Sequence, residues 1–269
     1  MRNSTRSLSP PQPDTKPSSL PLIPVFHYFQ FQNPSYSDFR GEKMNTQDFL
    51  AQLDAHIAKY DLLCHPFYKA WSAGTLTRED LQAYGRDYFH HVEAFPSYLE
   101  KFGARVEDNQ LRRAVEINRE DELGADGAAS HAELWLDFVA GMGGKRSASD
   151  TPVPEVARLM ELFHSIARDG TSEEALAAFY SYESQVPRVS AEKARGLREM
   201  YGADEKTCKY FTVHTVADVY HSRIWKHQLV KVVEGNLPAA DRALDAAEQA
   251  AQALWLALDG IEAARLARA

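Results

Sequence analysis

A chain of 269 residues, 44% hydrophobic and 25% charged, has the make-up of a soluble globular protein and excludes a fibre or a wholly disordered polymer. The formal net charge of −8 is the wrong sign for a nucleic-acid binder, and no apolar run approaches the ~18 residues of a membrane span. Two cysteines, Cys64 and Cys208, cannot build a disulfide framework, so a reducing, cytoplasmic setting is the expectation.

Residues 1–43 hold seven of the 13 prolines, with five basic side chains against three acidic ones, so the rest of the chain carries all of the negative balance. Pro and Ser at this density neither sustain a helix nor alternate like a strand, and the stretch reads as a disordered extension. Its LPLIPVF run is too short and too proline-broken for a signal-peptide core, and the Arg and Ser content of a transit peptide comes without an amphipathic helix. Met44 reads as the true start and 44–269 as one domain.

From Met44 onward the 3.6-residue period recurs and nothing alternates for long with period two. Leu50, Leu53, Ile57 and Leu62 predict a first helix after Asn45 and Thr46. Thr77 and Asp80 form a capping box for a long helix through Leu81, Tyr84, Tyr88, Val92, Phe95 and Leu99, with a kink expected at Pro96. Leu111, Val115 and Ile117 predict a helix down to Gly124, and another starts near Ser130 and stops at Gly141. Pro154 opens the next, which ends at Gly170. Spans 171–184, 187–201, 204–234 and 238 to the end complete an all-α body of about eight or nine helices, a bundle-like single domain.

Chemistry concentrates in YFTVHTVADVYHSRIW. His214, Asp218 and His221 stand at i, i+4 and i+7, within an arc roughly 60° wide, so three metal-competent side chains share one helix face. An exposed polar stripe would show the same spacing. The apolar neighbours Phe211, Val213, Val216, Val219 and Ile224 nearly encircle the helix, which argues for burial, and a buried His/Asp/His face needs a partner that iron, manganese or zinc can supply. Further donors must come from other helices. Glu183 sits among Ala175, Leu176, Phe179 and Val186, where a carboxylate is costly unless paired, although an isolated Glu is more often a surface residue. Glu122 ends one helix and His131 begins the next, with Gly124 and Gly127 turning the chain between them. The acidic run 120–122 also fits a solvated face, and spacing alone leaves Asp121 a rival to Glu122. Three His and three carboxylates would balance most of the charge of two divalent ions.

This pattern, a Glu near a helix end, a His at the next helix start, a lone Glu, then His-x3-Asp-x2-His, resembles the haem-oxygenase-like dimetal oxidases, relatives of the TenA and PqqC proteins. The longer stretches HPFYKAWSAGTLTREDLQAYGRDYFHHVEAFPSYLEKF and AFYSYESQVPRVSAEKARGLREMYG, with the His214 helix, resemble the CADD-like family (Chlamydia protein associating with death domains) over roughly residues 46–235. The Glu122–His131 loop is longer than in the chlamydial member of that family, which leaves Glu122 the least secure of the six matched positions.

The resemblance implies a single haem-oxygenase-like bundle of about seven to nine helices with Glu122, His131, Glu183, His214, Asp218 and His221 holding two transition metal ions, Fe/Fe or Mn/Fe. It implies a self-sacrificing, O2-dependent 4-aminobenzoate synthase of folate biosynthesis, in which Tyr68 supplies the ring and Lys193 is the amino donor. Tyr84, Tyr182 and Tyr210 occupy the positions of the family's other near-site tyrosines. An external reductant from an unknown electron donor and a homodimer are further expectations. By themselves the residues permit blander readings: core packing for each tyrosine, an exposed helix position for Lys193. Two rival functions stand beside the first, a dimetal oxidase acting on an external fatty acid or amino acid, and a death-domain-interacting protein. Of His90 and His91 at most one faces inward, His56 and His65 read as structural or surface residues, Cys208 as a small core residue, and Trp255 and Leu256 as a subunit contact.

Overall fold

The computed structural model describes residues 45–268; the expectations for residues 1–43 and Met44 lie outside them. Among the described residues are ten α-helices, two single-turn 3-10 segments and no strand, so the all-α expectation holds. Helix α1 (Thr46–Ala58) starts where Asn45 accepts the Asp48 backbone N–H at 2.9 Å and buries Phe49, Leu53 and Ile57. It ends four residues earlier than the period suggested. Leu62 belongs instead to a 3-10 turn, Leu62–Cys64, capped by Asp61.

Helix α2 (Pro66–Ser72) adds to the elements expected from periodicity. At seven residues it is too short for a hydrophobic stripe to announce it. Pro66 presets its first turn, and buried His65 accepts the Phe67 N–H at Nδ1, 3.1 Å away. Helix α3 (Arg78–Arg105) begins with the expected Thr77/Asp80 capping box and runs on through Pro96. Then follow α4 (Asn109–Leu123), α5 (His131–Gly141), α6 (Pro154–Asp169), α7 (Ser172–Glu183), α8 (Val186–Tyr201), α9 (Glu205–Val233) and α10 (Leu237–Leu266).

Helix α7 is the centre of the bundle. Every residue from Ala175 to Glu183 is buried, with α9, α10 and α6 packed around it. The alanine stripe of α10 (Ala239, Ala243, Ala247, Ala250, Ala251) permits the close approach, and the Ser181 hydroxyl donates to the Ala247 carbonyl at 2.9 Å. Helices α4, α5 and α6 cover α3, and α5 and α8 lean on α9. Trp255 packs its ring 4.7 Å from that of His65 within the chain, so of the expected contact pair only Leu256 is exposed. His65 and Cys208 are both core residues, and of the two adjacent histidines His91 is the internal one.

Candidate metal centre

Four helices bring the six matched donors together in two buried triads. Glu122, His131 and His214 form one; Glu183, Asp218 and His221 form the other, each with its donor atoms within 4.8 Å of one another. The α4–α5 turn sets the first. Gly124 ends α4 at φ +79°, and a Cβ there would stand 2.3 Å from the Ala128 carbonyl oxygen, so the chain reverses tightly enough for Glu122 and His131 to face each other. His131 Nδ1 lies 2.8 Å from Glu122 Oε2, and the His131 and His214 rings are 4.3 Å apart.

Helix α9 supplies half of the donors, and the reason its stripe is buried differs from the expectation. The helix is not apolar all round in a dry interior: Val216 is 73% exposed, and Val219 and Tyr220 also face outward. The polar stripe itself is the inner face.

Hydrogen bonds hold these donors in place. His214 Nδ1–H donates to the Tyr210 carbonyl at 2.7 Å, which leaves Nε2 free for a ligand. His221 Nε2–H donates to Asp121 Oδ2 at 3.0 Å, turning Nδ1 inward. Of the two acidic neighbours, Glu122 is buried in the cluster, while Asp121 is half-exposed and braces His221 from outside. Glu183 accepts from Asn118 Nδ2 at 2.9 Å and from the Trp225 indole N–H. Sequence reasoning missed both partners, though helical spacing pointed to them: Asn118 is one turn before Glu122 and Trp225 one turn after His221.

The donor set fits a cation. His131 Nδ1 and His221 Nδ1 are buried without a hydrogen-bond partner, each beside a carboxylate oxygen, at 2.8 Å from Glu122 and 3.4 Å from Asp218, but out of line for an N–H···O bond. Lone pairs converging on a common point are what a metal ion requires. Without one, burial raises the Glu183 carboxyl to about 8, against the pull of His221 and with the push of Asp218, while His221 rises to about 10 through its carboxylate neighbours despite its burial. Val92 and Phe95 from α3, with Tyr182 and Tyr210, close the space among the donors so tightly that no water-sized sphere fits there.

Residues 82–255 match the iron-containing redox enzymes. The chain belongs to that family. This iron-containing redox enzyme is 37% identical over 223 residues to the 4-aminobenzoate synthase of Chlamydia muridarum, across 82% of this chain and 92% of the relative. It is 34% identical to the 4-aminobenzoate synthase of Nitrosomonas europaea, across 81% and 92%. In fold it is similar to a domain with a heme oxygenase-like fold from Shewanella denitrificans (TM-score 0.66, 17% identity, 82% of this chain and 91% of that one). A CADD-like protein from Nostoc punctiforme gives a TM-score of 0.64 at 17% identity, across 81% and 99%. The haem-oxygenase-like bundle expected from the sequence is thus the fold observed, the chain is an oxidoreductase, and the family with the two triads supports a metal cofactor. No helix among the described residues is long and apolar enough to cross a membrane.

The remaining matched residues form a second group. Tyr68 on α2, Tyr84 on α3 and Lys193 on α8 meet in a buried cluster: Lys193 Nζ is 2.8 Å from the Tyr68 hydroxyl and 2.5 Å from that of Tyr84, and the two hydroxyls are 3.1 Å apart. Lys193 is buried, against its expectation as an exposed helix residue from spacing alone. The rings of Tyr68, Trp71, Tyr84, Tyr88, Trp135 and Phe211 surround its amine. No carboxylate is among its contacts, so burial alone drives its pKa well below the ordinary value and disfavours the charged form. Burial likewise pushes the Tyr68 and Tyr84 hydroxyls up, keeping both as phenols.

Such a lysine costs stability in a definite pH range. Below its unfolded pKa of ~10.4 the unfolded chain binds a proton that the folded chain refuses, so stability rises with pH through this window. Lys193→Met is therefore expected to raise the melting temperature at neutral pH, by about 2–4 °C for each kcal/mol recovered, with the gain vanishing above pH ~10.4. Calorimetry across that range checks it; an equal or negative effect at low pH would show that the amine is charged in the fold.

Proposed function

We propose that this enzyme makes 4-aminobenzoate from its own side chains, with Tyr68 as the source of the ring and Lys193 as the source of the amino group. The observation that carries the reading is the enclosed Tyr68–Tyr84–Lys193 contact: a phenol and an amine whose pKa burial lowers, held at 2.8 Å in a buried aromatic box. The product's chemistry agrees, because a benzoate carbon skeleton is a tyrosine ring with its Cβ, and the amino nitrogen stands where tyrosine carries its oxygen. The relatives at 34–37% identity are named 4-aminobenzoate synthases, which supports the product.

Glu122, His131 and His214 would hold one metal ion and Glu183, Asp218 and His221 the other. A bound pair, Fe/Fe or Mn/Fe, supplies the capacity to activate O2, with electrons from an external reductant. The residues around the site do the rest. Tyr210 and Asp121 fix the tautomers of His214 and His221, Asn118 and Trp225 orient Glu183, and Val92 and Phe95 keep water away. Tyr182 and Tyr210 line the cavity as phenols, their pKa values raised by burial. Tyr84 shares the Tyr68 hydroxyl with Lys193, and the neutral amine can take the phenolic proton or attack carbon. An external fatty acid or amino acid fits less well, because the space among the donors does not admit even a water-sized sphere. No feature of the described surface supports the death-domain reading. A homodimer working with an unidentified electron donor in the cytoplasm completes the proposal.

The test is a reaction of purified protein with iron, manganese, O2 and ascorbate and no added aromatic compound. The expected result is product limited to at most one per chain, labelled when the protein is made with ring-labelled tyrosine, and a loss of mass confined to the Tyr68 and Lys193 peptides. Unlabelled product, or many turnovers per chain, would end the proposal.

A further inference from the structure

The proposed chemistry has to cross a gap. Tyr182 and Tyr210 line the cavity among the donors, whereas Tyr68, Tyr84 and Lys193 do not. Trp135, on α5, stands between. Its ring meets Tyr210 edge-on at 4.7 Å, and Tyr210 in turn lies 4.0 Å from the His214 ring. On its other side the indole is 5.7 Å from Tyr84, and Lys193 Nζ is 5.8 Å from it. Trp135 is 1% exposed, and its Nε1–H donates to the Gly85 carbonyl at 2.6 Å, so the ring is fixed. The rival aromatic route runs through Tyr88, whose hydroxyl is hydrogen-bonded to Tyr182 and whose ring reaches Tyr182 by way of His91, at 5.4 and 5.2 Å. An imidazole gives up an electron far less readily than an indole or a phenol.

Building on the proposed function, we infer that Trp135 is the one-electron relay between the donor triads and the Tyr68–Tyr84–Lys193 cluster. One electron leaves Tyr68 and passes by Tyr84, Trp135 and Tyr210 to the O2-derived oxidant that a metal pair held by the two triads would supply, which is reduced by one electron. The Tyr68 O–H bond breaks as its proton moves to Lys193 Nζ, 2.8 Å away, where an N–H bond forms. A neutral phenoxyl radical and an ammonium result. The relay explains why an indole sits where α5 could have packed any large apolar side chain, and why sequence reasoning, which looked for donors and phenols, passed over it.

The experiment compares metal-loaded Trp135→Phe, Trp135→Tyr and Tyr88→Phe under O2 and ascorbate, reading product per chain, metal content, melting temperature and, by peptide mass spectrometry, the sites of side-chain oxidation. Trp135→Phe is expected to lose at least tenfold in product at unchanged metal content, with oxidation accumulating on the Tyr210 or Tyr182 peptide. Trp135→Tyr, which restores an oxidisable ring, recovers a third or more of the yield, and Tyr88→Phe stays within twofold. Wild-type yield from Trp135→Phe overturns the relay, as does a Trp135→Tyr variant no better than Trp135→Phe at equal metal content and melting temperature. Loss through Tyr88→Phe instead would move the path to the other route. If Tyr68→Phe keeps full yield, it is Tyr68 as source that fails, while displaced oxidation on the Tyr210 peptide of Trp135→Phe still reports the relay.

Discussion

Tyr68→Phe is expected to abolish 4-aminobenzoate formation, by at least 100-fold, while the protein folds and binds its metals as before. The substitution removes one oxygen and leaves the ring, whose neighbours Phe67, Trp71 and Tyr84 stand with centroids 6.0–6.5 Å away. Lys193 retains a hydroxyl partner in Tyr84, so no buried amine is stranded. What goes is the oxidisable O–H and its contact with the amine. Metal analysis and a melting curve serve as controls beside the product assay. Persistent product would return the enzyme to an external substrate, since the donor triads are untouched.

The second large effect is on the metals. Glu183→Ala removes a donor from one triad and leaves the Trp225 indole N–H and Asn118 Nδ2 without their acceptor in the core, at about 1–3 kcal/mol for each group. The expected outcome is loss of one of two bound ions, with the ion at Glu122, His131 and His214 retained, and product lowered at least 100-fold. Glu183→Gln keeps the shape and an acceptor for one of the two donors. It should recover stability without recovering the second ion, which separates a folding defect from a coordination defect. Two ions per chain in both variants, by mass-spectrometric metal counting, would remove Glu183 from the proposed ligand set.

Much of this was legible in the chain itself because helices impose a rigid spacing. His214, Asp218 and His221 had to share a face once the segment was helical, and Glu122 and His131 were able to face one cavity once glycines turned the chain between them. Where the reading slipped, the cause was local. A seven-residue helix such as α2 has no stripe to read, so that element went unpredicted and Tyr68 itself was singled out only by a resemblance. The burial of the α9 stripe was expected for a reason the fold does not use, since exposed Val216, Val219 and Tyr220 make that helix polar inside and partly apolar outside. Spacing ranked Lys193 as an exposed residue, yet it is buried among six aromatic rings contributed by α2, α3, α5 and α9.

By itself, then, the amino-acid order determined an all-helical chain, the single-helix donor face and the small-residue turns, because each depends on neighbours within one or two helical turns. Only the packing of separate helices decided that Glu122 faces the donors while Asp121 braces His221, that Asn118 and Trp225 hold Glu183, and that Trp135 lies between the triads and Lys193. Contacts of that kind join positions tens of residues apart, and their geometry follows from how side chains interlock across helices, which no local period encodes.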